Sequence, residues 1–307
     1  MYYLPEGTLI KNEENTRYIS SAEGLREAMD KGIILEGIAS LCGASHDLTV
    51  ELPCGRGIIP RREGAVGIDD GTTRDIALLS RVGRAVCFKV VSVQTDSSGR
   101  AEAVLSRKAA QEECLERYIS TLRPGDVIGA RVTHLEQFGC FVDIGCGLPS
   151  LIPIDAISVS RIAHPSDRFT VGDSIRAVVR SVDGRRVCLT HRELLGTWEE
   201  NTAGFSAGET VPGIVRSVEE YGIFVELTPN LAGLAELRDG IAPGQRVSVF
   251  IKAVIPEKMK LKLVIVEPCT DMPEHTRDME YCFTGDRMEH WVYTPECCGK
   301  NIRTDFV

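Results

Sequence analysis

Hydrophobic and polar positions alternate along most of this chain in short runs, each bounded by glycine, proline or aspartate. Alternation at a period of two marks strands with one buried face. One pattern of this kind occurs twice. Residues 132–144 (VTHLEQFGCFVDI) and 215–227 (VRSVEEYGIFVEL) align without a gap. The flanks correspond as well: Pro124–Val127 with Ala207–Val211, Gly147–Ile152 with Leu231–Ala235, and Val171–Arg180 with Pro243–Lys252. Each copy closes on a basic alternating run, Arg185–Thr190 in one and Lys258–Leu263 in the other. A weaker third copy precedes them, with runs at Gly37–Leu41, Asp47–Leu52, Gly57–Pro60, Val82–Val91 and Arg100–Ser106. It has no aromatic pair where the other two do.

Five short strands within about 70 residues, without a long helix, predict a small closed barrel. The chain is therefore expected to be mainly β, with three tandem five-stranded barrels joined by short helices. The expected order is an N-terminal arm with a short helix (1–31), a degenerate barrel (32–108), a helical linker (109–121), a barrel (122–193), a linker (194–205), a barrel (206–266) and an irregular tail (267–307). Ser21 followed by helix formers through Met29 predicts a capped helix, and the helix-forming run from Lys108 to Tyr118 predicts the first linker. Leu194–Glu200 reads as a short link, with Trp198 packing between modules.

Charge narrows the function. The net charge is −9 over 307 residues, which argues against bulk-positive binding of duplex DNA. The three repeats are close to neutral, and the acid concentrates in the arm, the linkers and the tail. No run is long and apolar enough to span a bilayer, and the polar, acidic N-terminus does not read as a signal peptide. Eleven cysteines, several inside strand-like runs, then read as reduced thiols used as small hydrophobes, and the protein is expected to be cytoplasmic.

The candidate chemistry lies in Phe138-Gly139-Cys140-Phe141 and its counterpart Tyr221-Gly222-Ile223-Phe224. Residues three apart on a regular strand face opposite ways. A bulge at the glycine is expected to bring each aromatic pair to one side. Paired aromatics on a barrel surface can stack bases, at about 1–3 kcal/mol per base. The last strand would supply Arg185 and Arg186, or Lys260 and Lys262, to phosphates. A plain core role would account for the aromatics, but not for the glycine and the basic last strand kept in both copies. His134 and His164 read as surface polar residues. In the tail, Cys269, His275, Cys282, His290, Cys297 and Cys298 have metal-ligand types without a zinc spacing. Trp291, Tyr293 and Phe306 are expected to pack on the last barrel or on a partner. With no phosphate loop, nucleophile elbow or acid pair in a matching context, no enzyme activity, cofactor or metal is expected.

These residues resemble a known family. The order G-D-V, the aromatic-glycine-x-Phe-Val-acid strand, G-L, V-G-D and the basic last strand are similar to the S-one RNA-binding domain. That domain is an OB-type barrel repeated in a bacterial small-subunit ribosomal protein and appended to RNA-processing enzymes. The resemblance spans about residues 32–266, strongest at 122–193 and weakest at 32–108. It implies an RNA face of Phe138, Phe141, Asp183 and Arg186 in the middle repeat, and of Tyr221, Phe224 and Lys260 in the third. Where the family often has histidine, this chain has Pro153 and Glu236, and Pro256 replaces the third repeat's aspartate. In the first repeat His46 and Thr49 stand at the aromatic positions, Pro60 at the histidine position and Arg100 at the basic one. The resemblance implies non-catalytic binding of single-stranded RNA, namely mRNA in translation at the small ribosomal subunit, with no membrane partner. The first barrel and the tail would contact protein. The alternatives are a protein-interaction adaptor, or an accessory subunit of an RNA-degrading or transcription complex.

Overall fold

The computed structural model describes residues 3–269 and 280–306. Its strands form three closed barrels of one topology. The first comprises β1 (Leu35–Cys42), β2 (Leu48–Leu52), β3 (Gly55–Ile59), β4 (Ala85–Thr95) and β5 (Ala101–Ser106), in the order β1-β2-β3-β5-β4. The middle barrel comprises β6 (Val127–Glu136), β7 (Gly139–Asp143), β8 (Pro149–Pro153), β9 (Ser174–Asp183) and β10 (Arg186–Thr190). The third comprises β11 (Thr210–Glu219), β12 (Gly222–Thr228), β13 (Leu231–Ala235), β14 (Arg246–Ile255) and β15 (Lys260–Pro268). Both repeat the ring order of the first. In each, the third strand pairs in parallel with the fifth, as Ile58↔Val104, Leu151↔Cys188 and Leu234↔Lys262 show. This is the five-stranded architecture of the OB-fold.

Short helices join the barrels. α1 (Glu13–Ile19) and α2 (Ala22–Lys31) precede the first. The Ser21 side chain caps α2 by accepting the Gly24 N–H, and the left-handed Gly32 ends it. α3 (Ile76–Leu79) lies between β3 and β4, and α4 (Arg107–Arg117) follows β5 with Ser106 as its cap. α5 (Trp198–Thr202) precedes the third barrel. After it come the two-stranded ribbon of β16 (His290–Val292) and β17 (Arg303–Asp305). Among the described residues, no helix is long and apolar enough to cross a membrane.

Two compact units make up the chain. One comprises Met1–Leu122 with Gly129–Arg131 and Asp143–Pro149. There carboxylates hold the N-terminal arm. Glu36 accepts the N–H groups of Gly7, Leu9 and Ile10, and Asp143 accepts that of Glu6. The Glu6 carboxylate in turn receives two bonds from Arg107, at 2.6 and 3.1 Å. Burial pushes Glu36 up to about 7.

The other unit comprises Arg123–Ile128, Val132–Val142 and Ser150–Val307. One apolar cluster joins the interior of the third barrel to Val178 of the middle one, Trp198, and Met288, Trp291, Tyr293 and Phe306. Trp198 thus packs between modules, and the tail aromatics cover the last barrel. Asn230 is a buried junction. Its amide donates to the Arg192 and Gly196 carbonyls while its oxygen accepts the Val159 N–H. The buried Glu226 carboxylate receives both Arg216 and Arg168.

Candidate nucleic-acid interface

Each aromatic pair sits at a tight hairpin. In the third barrel Glu219 pairs with Gly222, leaving Glu220 and Tyr221 as a two-residue turn. Gln137 and Phe138 make the matching turn between β6 and β7. A side chain at such a tip has little to pack against, and Phe138 and Tyr221 are 56% and 69% exposed. Three residues on, Phe141 and Phe224 face outward and are half-buried. The pairs meet edge to face, with centroids 5.9 Å apart and planes at 90° in one barrel, 6.1 Å and 88° in the other. This leaves one ring face of the tip residue free to stack a base.

In the third barrel the bulge expected at the glycine lies elsewhere: Gly222 pairs regularly with Glu219, and the register shifts on the neighbouring strand, between Val215 and Ser217. The tight turn is what sets Tyr221 beside Phe224. The glycines serve close approach instead. A Cβ on Gly139 would stand 2.5 Å from the Ile152 carbonyl oxygen, and one on Gly222 2.6 Å from that of Ala235. Only glycine lets the third strand's backbone pass so near.

The register fixes where the cations lie. In the third barrel Ser217, Phe224, Leu234 and Lys262 form one row across four neighbouring strands. Lys260 lies two residues back along β15, level with Ala232 and away from Tyr221. In the middle barrel Cys188 holds the Lys262 position, opposite Leu151. Arg186 is again two residues back, paired with Asp183 across the turn at Gly184 and Arg185. All of Asp183, Arg185 and Arg186 are exposed. The structure thus brings Lys262 into the row of Phe224, and sets Asp183, Arg185, Arg186 and Lys260 at the opposite end of the face from the aromatic tips. A strand of nucleic acid would have to run along the face to meet both ends.

His134 is a neighbour that the sequence pattern missed. Its ring lies 6.4 Å from that of Phe141, and its Nε2 is 2.7 Å from Glu136. Strict alternation from the buried Val132 would turn His134 inward. It is exposed all the same, at the position that aligns with Ser217, and Ser217 lies just past the register shift of the third barrel.

The first barrel presents a different surface. Its equivalent row is Leu41, Thr49, Ile58 and Val104, with the three aliphatics exposed. The basic position falls on Glu102 rather than Arg100, and Glu102 is paired with Arg56 at 2.6 Å. His46 adopts a left-handed φ of 64° and lies 3.5 Å from Asp75. Among the described residues no group of three or more His, Cys, Asp or Glu side chains is placed to hold a metal; His275 lies outside them.

The structure thus sets an aromatic pair and basic residues on the outer faces of two of its three tandem OB-fold barrels. Residues 121–192 match the family described as the S1 RNA binding domain. Over 201 residues the chain is 28% identical to the small ribosomal subunit protein bS1 of Staphylococcus aureus (strain COL), covering 60% of this chain and 50% of that protein. The bS1 of Staphylococcus epidermidis is 26% identical over 279 residues, covering 84% of this chain and 68% of that one. The chain spans about half the length of the first of these relatives. Among solved structures, a multidomain protein with nucleic acid binding domains from Streptococcus pneumoniae aligns with 80% of this chain and 76% of its own, at 15% identity and a TM-score of 0.25.

Proposed function

We propose that this protein binds single-stranded RNA without catalysis, chiefly through its middle and third barrels, and holds mRNA at the small ribosomal subunit. The observation that carries the reading is the recurrence, in two barrels, of one exposed edge-to-face aromatic pair at the same hairpin. Apolar rings left in water cost free energy that core packing would recover, so their repeated exposure favours a ligand with flat apolar faces. Basic residues at the far end of the same face suit the backbone of that ligand. The ribosomal relatives support placing this activity in translation.

The test is direct. Phe138→Ala with Phe141→Ala in the full chain should weaken binding to an unstructured RNA oligonucleotide about five-fold or more by fluorescence anisotropy, with unchanged circular dichroism. Loss of one stacked base, about 1–3 kcal/mol, sets that scale. Unchanged affinity in the folded variant would sink the assignment. Co-sedimentation with small subunits, and mapping of RNAs crosslinked in cells, then tests the role in translation.

A second reading holds for the first barrel alone. Its exposed Leu41, Ile58 and Val104 stand where the third barrel has Ser217, Leu234 and Lys262, which favours a protein partner over RNA. Partners retained after nuclease digestion, and lost on Ile58→Lys, would separate this from an RNA-bridged association.

A further inference from the structure

The outer face of the third barrel is not an open platform. Tyr221 and Phe224 form one wall of a cleft of about 580 Å³, a volume typical of sites that enclose a small ligand. The other walls come from 159–163, in the connection between β8 and β9, and from Tyr293, Lys300 and Ile302 of the C-terminal segment. Both walls are held in place, since Asn230 bonds to Val159 and to Tyr293.

Two features of this cleft point to a ligand. Arg161 and Lys300 on its rim are exposed and make no ion pair among the described residues. Met259 on its wall has a φ of 48°, whereas the middle barrel has Gly184, with φ 58°, at its corresponding turn. A left-handed non-glycine costs of order 1 kcal/mol, and such residues cluster at ligand sites. Its flexible thioether can close against a flat apolar group.

We propose that the cleft encloses one unstacked nucleotide of a single-stranded RNA. The base lies against Tyr221 and Phe224, and the adjoining phosphates lie toward Arg161 and Lys300. This rests on the RNA-binding reading of the third barrel and makes its site composite, completed by the middle barrel's connection and the C-terminal segment. Open-face stacking tolerates any base, whereas enclosure limits base size.

The experiment uses the full chain, a labelled oligouridylate and the variant Arg161→Ala/Lys300→Ala, whose exposed positions leave folding unaffected. Each phosphate contact on a single strand adds about 0.7 to the slope of log affinity against log salt. The variant should therefore lose about 1.4 from that slope and bind several-fold more weakly at low salt. Irradiating the wild type with oligouridylate carrying 4-thiouridine should crosslink segments 159–163 and 293–302 as well as 221–232. An unaltered slope, or crosslinks confined to 221–232, would overturn the enclosed subsite while leaving RNA binding by the barrel intact. Failure of the wild type to bind the oligonucleotide would overturn both.

Discussion

Consider replacing Glu226 by glutamine. Its carboxylate is 5% exposed and receives two bonds from Arg216, both at 2.9 Å, together with one from Arg168. Glutamine keeps the shape and one acceptor oxygen but removes the charge that both guanidiniums face. Removing one partner of a buried ion pair costs about 3–5 kcal/mol, mostly because the remaining charge is stranded. Arg216 retains Asp167 at 3.3 Å, so the lower end, about 3 kcal/mol, is expected. For a unit of this size that corresponds to a fall in Tm of roughly 6–12 °C. The assay is urea and thermal unfolding followed by tryptophan fluorescence. Both tryptophans, Trp198 and Trp291, lie in the apolar cluster of this unit, so the signal reports on it specifically. Arg168→Met should cost clearly less, because Glu226 then keeps its two bonds to Arg216. A Glu226→Gln variant within about 0.5 kcal/mol of wild type would refute the argument, that being the range of an exposed pair. So would an Arg168→Met variant that is the more damaged of the two.

Other consequences follow from the same structure. His191 is fully buried, with Nδ1 2.9 Å from the Ile157 carbonyl oxygen, and burial pushes its pKa down to about 4. The unfolded chain takes up the proton first, so this site's contribution is intact above about pH 6.5 and is lost as the pH falls toward 4. Over that window wild type should lose about 3 kcal/mol more stability than His191→Gln; equal losses in denaturant titrations would count against it. Gly139→Ala places a methyl 2.5 Å from the Ile152 oxygen and should destabilise the middle barrel by about 1–3 kcal/mol in urea unfolding. A neutral effect would mean that β7 and β8 do not pass so closely. Phe138→Ala, at an exposed turn, should stay within about 0.5 kcal/mol of wild-type stability while weakening RNA binding in anisotropy titrations; a change in stability without one in affinity would reverse its assignment.

Much of the fold was legible in the residues. Alternation with turn residues at the ends located five strands in each repeat, because the period-two pattern is a local record of which face is buried. Gly37–Leu41 falls within β1, and the run at Arg100–Ser106 contains β5. The pairing of Phe138 with Phe141 was legible too, as was the burial of Trp291, Tyr293 and Phe306, since large apolar side chains seek the nearest core. Other features have no local record. The reason Gly139 must be glycine lies in the strand beside it. His134 was legible as a surface residue, but its approach to Phe141 depends on which positions of two strands meet. Whether Lys262 or Lys260 shares a row with Phe224 is a matter of register between β13 and β15. The union of Glu226 with Arg168, and the cleft bounded by 159–163 and the C-terminal segment, join residues far apart in the chain. The sequence by itself determined the barrels and the residues available on their faces. Tertiary structure alone decided which of them meet, because contacts between distant segments follow from packing and leave no periodic trace.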